Sequence, residues 1–177
     1  PKPGNISFLP QSGAVGSAIL DLLSDEHFGF AKFISYGNGT NLSETDFLEY
    51  LGRDPQTKVI CMYIEGIHNG KKFLEVAKKI RKPIIVIKGG KYEQGAKATL
   101  SHTGSLAGSY QIYKAAFRQT GIIIAEGIEE VFHIAKLFVS CPKPKGKRIQ
   151  IITNGGGYGI LTLDALEKEK MQLAEMT

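Results

Sequence analysis

The sequence predicts an α/β protein whose core is a parallel sheet covered by helices on both faces. Two observations predict it. Short β-rich runs alternate regularly with segments of helical period, as in KVICMYIE followed by NGKKFLEVAKKIR. The β-rich runs are also continuously apolar rather than alternating, the pattern of strands buried on both sides.

The elements follow in order. NISFLP reads as a strand and SGAVGSAILDLLSDE as a helix; FAKFISY is a strand and SETDFLEYLGR a helix. In that second helix Ser43 stands at the cap, with Asp46 at the capping-box position usually held by Glu or Gln. KVICMYIE is a strand, NGKKFLEVAKKIR a helix, and PIIVIK a strand with Pro83 at its first residue, where proline is tolerated. A loop over residues 89–104 follows. SLAGSYQIYKAAFRQT is a helix, GIIIAE a strand, and GIEEVFHIAKLFVS a helix. Five strands in this alternation point to a flavodoxin-like or Rossmann-like, doubly wound order with right-handed crossovers.

The Pro/Lys/Gly run CPKPKGKR then breaks the helical period. It predicts a first domain over residues 1–141, a linker over 142–148, and the start of a second flavodoxin-like α/β domain over 149–177. In that second part IQIITN reads as a strand and GGGYGILTLDALEKEK as a helix. The chain opens on PKPGN, of linker composition and without an initiator Met, and stops at LAEMT after an unfinished strand–helix unit. The expectation is an excised part of a longer polypeptide.

Composition narrows the function. The 177 residues are 42% apolar and 22% charged, ordinary for a globular chain able to bury a core. The net charge of +5 comes from lysines scattered over helix faces. No basic stripe interleaved with aromatics appears, which argues against nucleic acid; small anionic ligands such as phosphates suit the charge better. Cys61 and Cys141 form no framework, and the former reads as a small core residue. No metal-ligand spacing is present, and the four histidines are scattered. No apolar run is long enough for a bilayer and no signal peptide is visible, so the cytoplasm is the default compartment and no membrane partner is expected.

In a parallel sheet all strand carboxyl ends lie along one edge, where ligands bind. After the first strand, Gln11, Ser12, Gly13 and Ala14 turn into a helix. Small residues there let a ligand approach free N–H groups at the positive end of the helix dipole. The turn lacks the Gly-Lys-Ser/Thr ending of a Walker motif. After the second strand, Gly37 and Asn38 form a turn that reads either as a plain loop or as a pocket wall. After the third, Glu65 follows six apolar residues directly. Either it reaches solvent at the strand's end, or it is desolvated and accepts a hydrogen bond from an imidazole, fixing the ring's tautomer. His68, in the next turn, reads as a surface residue, and His27 and His133 as surface or structural ones.

The loop after the fourth strand spans 16 residues, long for a compact domain unless it is functional. It carries His102 among Ser101, Thr103 and Gly104. By itself His102 is an ordinary loop histidine. On one edge with Glu65 and the Ser12 turn it completes another set: an imidazole nucleophile, an orienting carboxylate and an anion-binding helix N-terminus, which phosphoryl transfer through histidine requires. After the linker, Asn154, Gly155, Gly156 and Gly157 form a second glycine-rich turn suited to an anion. Its glycines fail the G-x-G-x-x-G spacing, because Ile160 stands at the last position, so a nicotinamide cofactor is disfavoured.

NISFLPQSGAVG, YIEGI, GAKATLSHTGSLAG and ITNGGGYG, in that order, resemble the ADP-forming acyl-CoA synthetases, relatives of succinyl-CoA synthetase found in archaea and some other microbes. The SHTGSLAG loop is the most specific part. The resemblance implies interconversion of acyl-CoA, ADP and phosphate with acid, CoA and ATP. It implies that phosphate attacks the thioester, that the acyl phosphate passes its phosphoryl group to His102, and that the loop carries it to ADP in an ATP-grasp domain. Glu65 then matches the carboxylate holding the phosphohistidine. Ser12, Gly13 and Ala14, with Asn154, Gly155, Gly156 and Gly157, match the two helix N-termini aimed at one phosphoryl group. Gln11, Gly37, Asn38, Ser101, Thr103 and Gly104 fall into the substrate pocket. Pro10 departs from the pattern, which implies Ser or a similar residue there. Partners implied are a CoA-binding domain preceding this segment, an ATP-grasp domain or subunit, and a small organic acid, with CoA, ATP/ADP, Mg²⁺ and phosphate as ligands of the intact enzyme. The competing expectation is a regulatory synthetase-like module fused to an acetyltransferase.

Overall fold

The computed structural model describes residues 2–22, 29–95, 98 and 109–175. By internal contacts the chain divides into two compact units, Pro1–Cys141 and Pro142–Thr177.

The first unit holds five parallel strands: β1 (Lys2–Pro10), β2 (Gly29–Phe33), β3 (Val59–Ile64), β4 (Ile84–Lys88) and β5 (Ile123–Ala125). Their spatial order is β2-β1-β3-β4-β5, the flavodoxin-like order with β3 at the centre. The helices are α1 (Gly13–Leu22), α2 (Glu44–Arg53), α3 (Gly70–Lys79), α4 (Tyr110–Thr120) and α5 (Ile128–Ser140).

Strand alternation divides the core into two layers. On one face Phe8, Cys61, Ile85 and Ile87 pack with Ile19 of α1 and Val131, Phe132 and Ala135 of α5. On the other, Leu9, Ile60, Met62, Ile64 and Val86 pack with Leu48 and Leu51 of α2, Phe73 of α3 and Phe117 of α4. Every one of these strand residues is buried, which is why the runs read as continuously apolar. Each fully buried Leu, Ile or Phe contributes about 1.5–3 kcal/mol relative to exposure. Aromatic rings tie the first layer together: Phe8 lies 5.7 Å from both Phe33 and Phe132, and Phe30 meets Phe33 edge-on at 5.6 Å.

Several boundaries differ from the sequence reading. β1 starts at Lys2, because Lys2 and Pro3 pair with Gly29 and Phe30 before the register shifts; edge pairing there outweighs a linker-like composition. β2 ends at Phe33, although Ile34 and Tyr36 still donate to Phe8 and Pro10 at 3.0 and 3.4 Å. β5 loses its expected first two residues because Gly121, at φ 73°, closes α4 in the left-handed conformation and the Ile122 N–H donates back to Phe117 O at 3.0 Å. At α2 the capping box is present: the Asp46 carboxylate accepts from the Ser43 backbone N–H at 2.9 Å and from its hydroxyl at 2.7 Å.

The second unit contains β6 (Arg148–Ile149), α6 (Gly156–Lys168) and β7 (Gln172–Leu173), with β6 and β7 parallel. The expected strand over 149–154 is shorter, because β7 offers it only two pairing positions. β7 itself was not legible, since MQLAE carries no strand pattern. Among the described residues no helix is long and apolar enough to cross a membrane.

Candidate functional site

The carboxyl edge of the five-stranded sheet collects polar side chains that the strands deliver from apolar interiors. At the end of β1, Gln11 is only 3% exposed. Its Oε1 accepts two backbone N–H groups, Glu65 at 2.6 Å and Gly66 at 3.1 Å. These two donors fix which end of the amide is oxygen. The Nε2 group is therefore a true donor, and it is buried with no hydrogen-bond partner among the described residues. The next residues open α1. Ser12 Oγ accepts from Val15 N at 3.4 Å and Ser12 O from Gly16 N at 3.0 Å. Gly13 and Ala14 are exposed, and their N–H groups have no intrahelical acceptor.

After β2, Gly37 lies at φ 58° in a turn with the exposed Asn38. Tyr36, just before it, has a buried hydroxyl with no hydrogen-bond partner among the described residues. Burial raises its pKa, and the charges of Glu44 and Glu65 raise it further, so the hydroxyl stays protonated as a donor.

At the end of β3, Glu65 is 6% exposed, so the solvent-reaching reading of this carboxylate does not hold. Tyr63, two residues back on the same face, donates its hydroxyl to Glu65 Oε1 at 3.2 Å. Burial and the Glu65 charge push the Tyr63 pKa up to about 12. A side chain at Gly89 would collide with this pair: a Cβ there would lie 2.7 Å from the Tyr63 hydroxyl oxygen.

Lys88, the last residue of β4, was missed by the sequence reading. It is 1% exposed. Its Nζ donates to Glu65 O at 2.8 Å and to Gly89 O, and lies 4.7 Å from the centre of the Tyr113 ring. Burial pulls its pKa down to about 8 against the opposing pull of Glu65. The signal was present: residue 88 has the inward parity of Ile84 and Val86, where a lysine needs built partners.

His68 is exposed, as its reading as a surface residue has it, and it also has a partner that the sequence did not show. Its Nδ1 lies 2.9 Å from Glu44 Oε2, its backbone N–H donates to Glu44 Oε1 at 3.0 Å, and the Glu44 side chain is wholly buried. The carboxylate ties the β3–α3 loop to the start of α2.

Of the expected site residues, the structure gathers Gln11, Ser12, Gly13, Ala14, Gly37, Asn38 and Glu65 along one edge of the first unit. Ser101, His102, Thr103 and Gly104 lie outside the described residues. In the second unit Gly155 caps α6, its N–H donating to Thr153 Oγ1 at 3.1 Å, and Asn154, Gly156 and Gly157 flank that cap.

This edge carries the buried Glu65, its carboxylate bonded by the Tyr63 hydroxyl and its peptide N–H and C=O by Gln11 and Lys88, beside the N-terminus of α1. A doubly wound sheet with such an edge defines a flavodoxin-like binding domain, and sequence comparison narrows the class. The model of the family described as succinyl-CoA ligase like flavodoxin domain matches residues 3–138, and the chain belongs to that family. It is 48% identical over 177 residues to the acetate–CoA ligase (ADP-forming) II subunit alpha of Pyrococcus furiosus, covering 99% of this chain and 38% of that one. It is 48% identical over 176 residues to acetate–CoA ligase (ADP-forming) I of Archaeoglobus fulgidus, covering 98% and 25%. The dinucleotide-forming acetyl-coenzyme A synthetase 1 of Ca. Korarchaeum cryptofilum, solved with phosphate and ADP, superposes with a TM-score of 0.93 at 41% identity, over 100% of this chain and 39% of that one. The chain thus spans between a quarter and two-fifths of these relatives' length.

Proposed function

We propose that this chain is the phosphoryl-relay segment of an ADP-forming acyl-CoA synthetase, an acid–thiol ligase. The observation that carries it is Glu65: a buried carboxylate, fixed through backbone and side chain, on the edge from which the loop bearing His102 departs. Inorganic phosphate attacks the thioester carbonyl of acyl-CoA, CoA leaves as its thiol, and an acyl phosphate forms. A ring nitrogen of His102 attacks phosphorus and the organic acid leaves as carboxylate. The terminal oxygen of ADP then takes the phosphoryl group, regenerating the imidazole and releasing ATP. Glu65 accepts the N–H of the other ring nitrogen, fixing the tautomer and balancing the positive charge of the phosphorylated ring. The N–H groups at Ser12, Gly13 and Ala14 receive phosphate oxygens. Asn154, Gly155, Gly156 and Gly157 supply a second such helix start. Gln11, Gly37, Asn38, Ser101, Thr103 and Gly104 line the substrate pocket.

A CoA-binding domain and an ATP-grasp domain, fused or as a subunit, supply the thioester and the Mg²⁺–nucleotide sites. The ligase names of the relatives support this reading over a regulatory module fused to an acetyltransferase. The test is phosphorylation of the complete enzyme with labelled ATP and Mg²⁺. An acid-labile label on the parent, absent from His102→Ala, is expected; label persisting in His102→Ala overturns the assignment.

A further inference from the structure

The strand ladder stops just short of the residue that matters. β1 pairs with β3 as far as Pro10 and Tyr63, and β4 pairs with β3 as far as Lys88 and Ile64. Glu65 comes one residue later, so no neighbouring strand supplies partners for its peptide groups. Two side chains do so instead. The N–H of Glu65 is taken by Gln11 Oε1 at 2.6 Å and its C=O by Lys88 Nζ at 2.8 Å.

Lys88 is an unusual choice for a plain strand end. A lysine at this position reaches water by extending its stem, and that is where its charge costs least. Here the ammonium is turned inward and 1% exposed, and its donors go to the carbonyls of Glu65 and Gly89 and towards the face of Tyr113 from α4. It links the ends of β3 and β4 at the point where the catalytic carboxylate leaves the sheet.

We propose that Lys88 is a positioning residue for phosphoryl transfer, acting through Glu65: its buried ammonium locks the Glu65 peptide from the β4 side while Gln11 locks it from the β1 side. The inference rests on the role of Glu65 proposed above. Its burial and depressed pKa fit a group held in place at a desolvation cost rather than a surface solubiliser.

The test is a double-mutant cycle on turnover of the complete enzyme, using Glu65→Gln, Lys88→Met and the two combined. A misplaced carboxylate slows the chemistry, so Lys88→Met lowers kcat about 100-fold while leaving KM for phosphate and acyl-CoA within about twofold. Because Lys88 acts through Glu65, the double variant is no slower than Glu65→Gln alone. Lys88→Arg, which keeps cation and donors, recovers at least about a tenth of parental turnover. Lys88→Gln, a neutral donor, replaces Lys88→Met in the cycle if the methionine variant does not fold. Parental kcat in the folded Lys88 variant, or losses that multiply in the double variant, overturn the proposal and leave Glu65 in its role. Normal turnover of Glu65→Gln removes both.

Discussion

Gln11 and Glu65, 54 residues apart in sequence, are joined by a 2.6 Å hydrogen bond from the Glu65 backbone to the Gln11 side-chain oxygen, and the same oxygen takes the N–H of Gly66. One amide thus closes the end of β3 where the ladder has run out. Gln11→Met removes this acceptor and leaves two buried N–H groups unpaired. The expected loss is about 1–3 kcal/mol of stability, read as a lower denaturant midpoint at unchanged slope. A midpoint equal to the parent's shows that the bond contributes nothing.

Glu65→Gln keeps the volume and an acceptor but removes the charge. The protein is expected to melt like the parent while phosphohistidine formation slows by about 100-fold or more, because in the proposed role the lost charge acts on the phosphorylated ring. Single-turnover labelling measures it, and a parental labelling rate takes Glu65 out of the chemistry.

Lys88 makes stability depend on pH in an unusual direction. Its folded pKa is near 8 and its ordinary value is 10.5. Between these values the unfolded chain holds the proton and the folded one does not, so stability rises with pH across that window. Relative to Lys88→Met, the parent gains stability from pH 8 towards 10; parallel curves would contradict the burial argument.

Asp46 also makes stability rise with pH, but in the acid range and as a stabilising group. The Ser43 backbone and side-chain bonds, then Lys72, hold its pKa at about 2, below the ordinary 3.8. Its contribution is present above the unfolded value and is lost as pH falls from 3.8 towards 2. Asp46→Ala costs about 1 kcal/mol at neutral pH, and the difference from the parent shrinks in acid. Melts at pH 2 and 7 decide it.

His68→Ala removes the ring from a wholly buried Glu44 carboxylate and, among the described residues, leaves only the backbone N–H on it. A loss of about 1.5–3 kcal/mol is expected, the range for hydrogen bonds to charged groups. His68→Asn, which keeps a side-chain donor, recovers part of it in the same denaturant titration.

The sheet was readable because its strands are buried on both faces. Runs such as VICMYI and PIIVIK have no solvent side to encode, and their apolar continuity survives without any knowledge of neighbours. Glu65 was visible for the same reason, as the first charge after such a run. Lys88 was not, although it ends a run in the same way. Whether a terminal charge turns inward depends on the carbonyls of Glu65 and Gly89 and the ring of Tyr113, which lie far from it in sequence or only form a cradle once α4 packs. Glu44 was hidden likewise: a carboxylate in the first turn of a helix reads as a solvated dipole partner, and only the β3–α3 loop folding over it makes it an interior anchor. The boundaries of β1 and β6 moved because pairing partners, not composition, set where a ladder begins and ends.

The central strand also carries Cys61, fully enclosed beneath α1 and α5, with its thiol pKa raised by burial, while Cys141 at the close of α5 is exposed. The pair amounts to an internal clock. An alkylating reagent reaches Cys141 at once, but it reaches Cys61 only when the layers on either side of β3 part. The delay between the first and second adduct, followed by mass spectrometry, times the opening of the sheet without any introduced label.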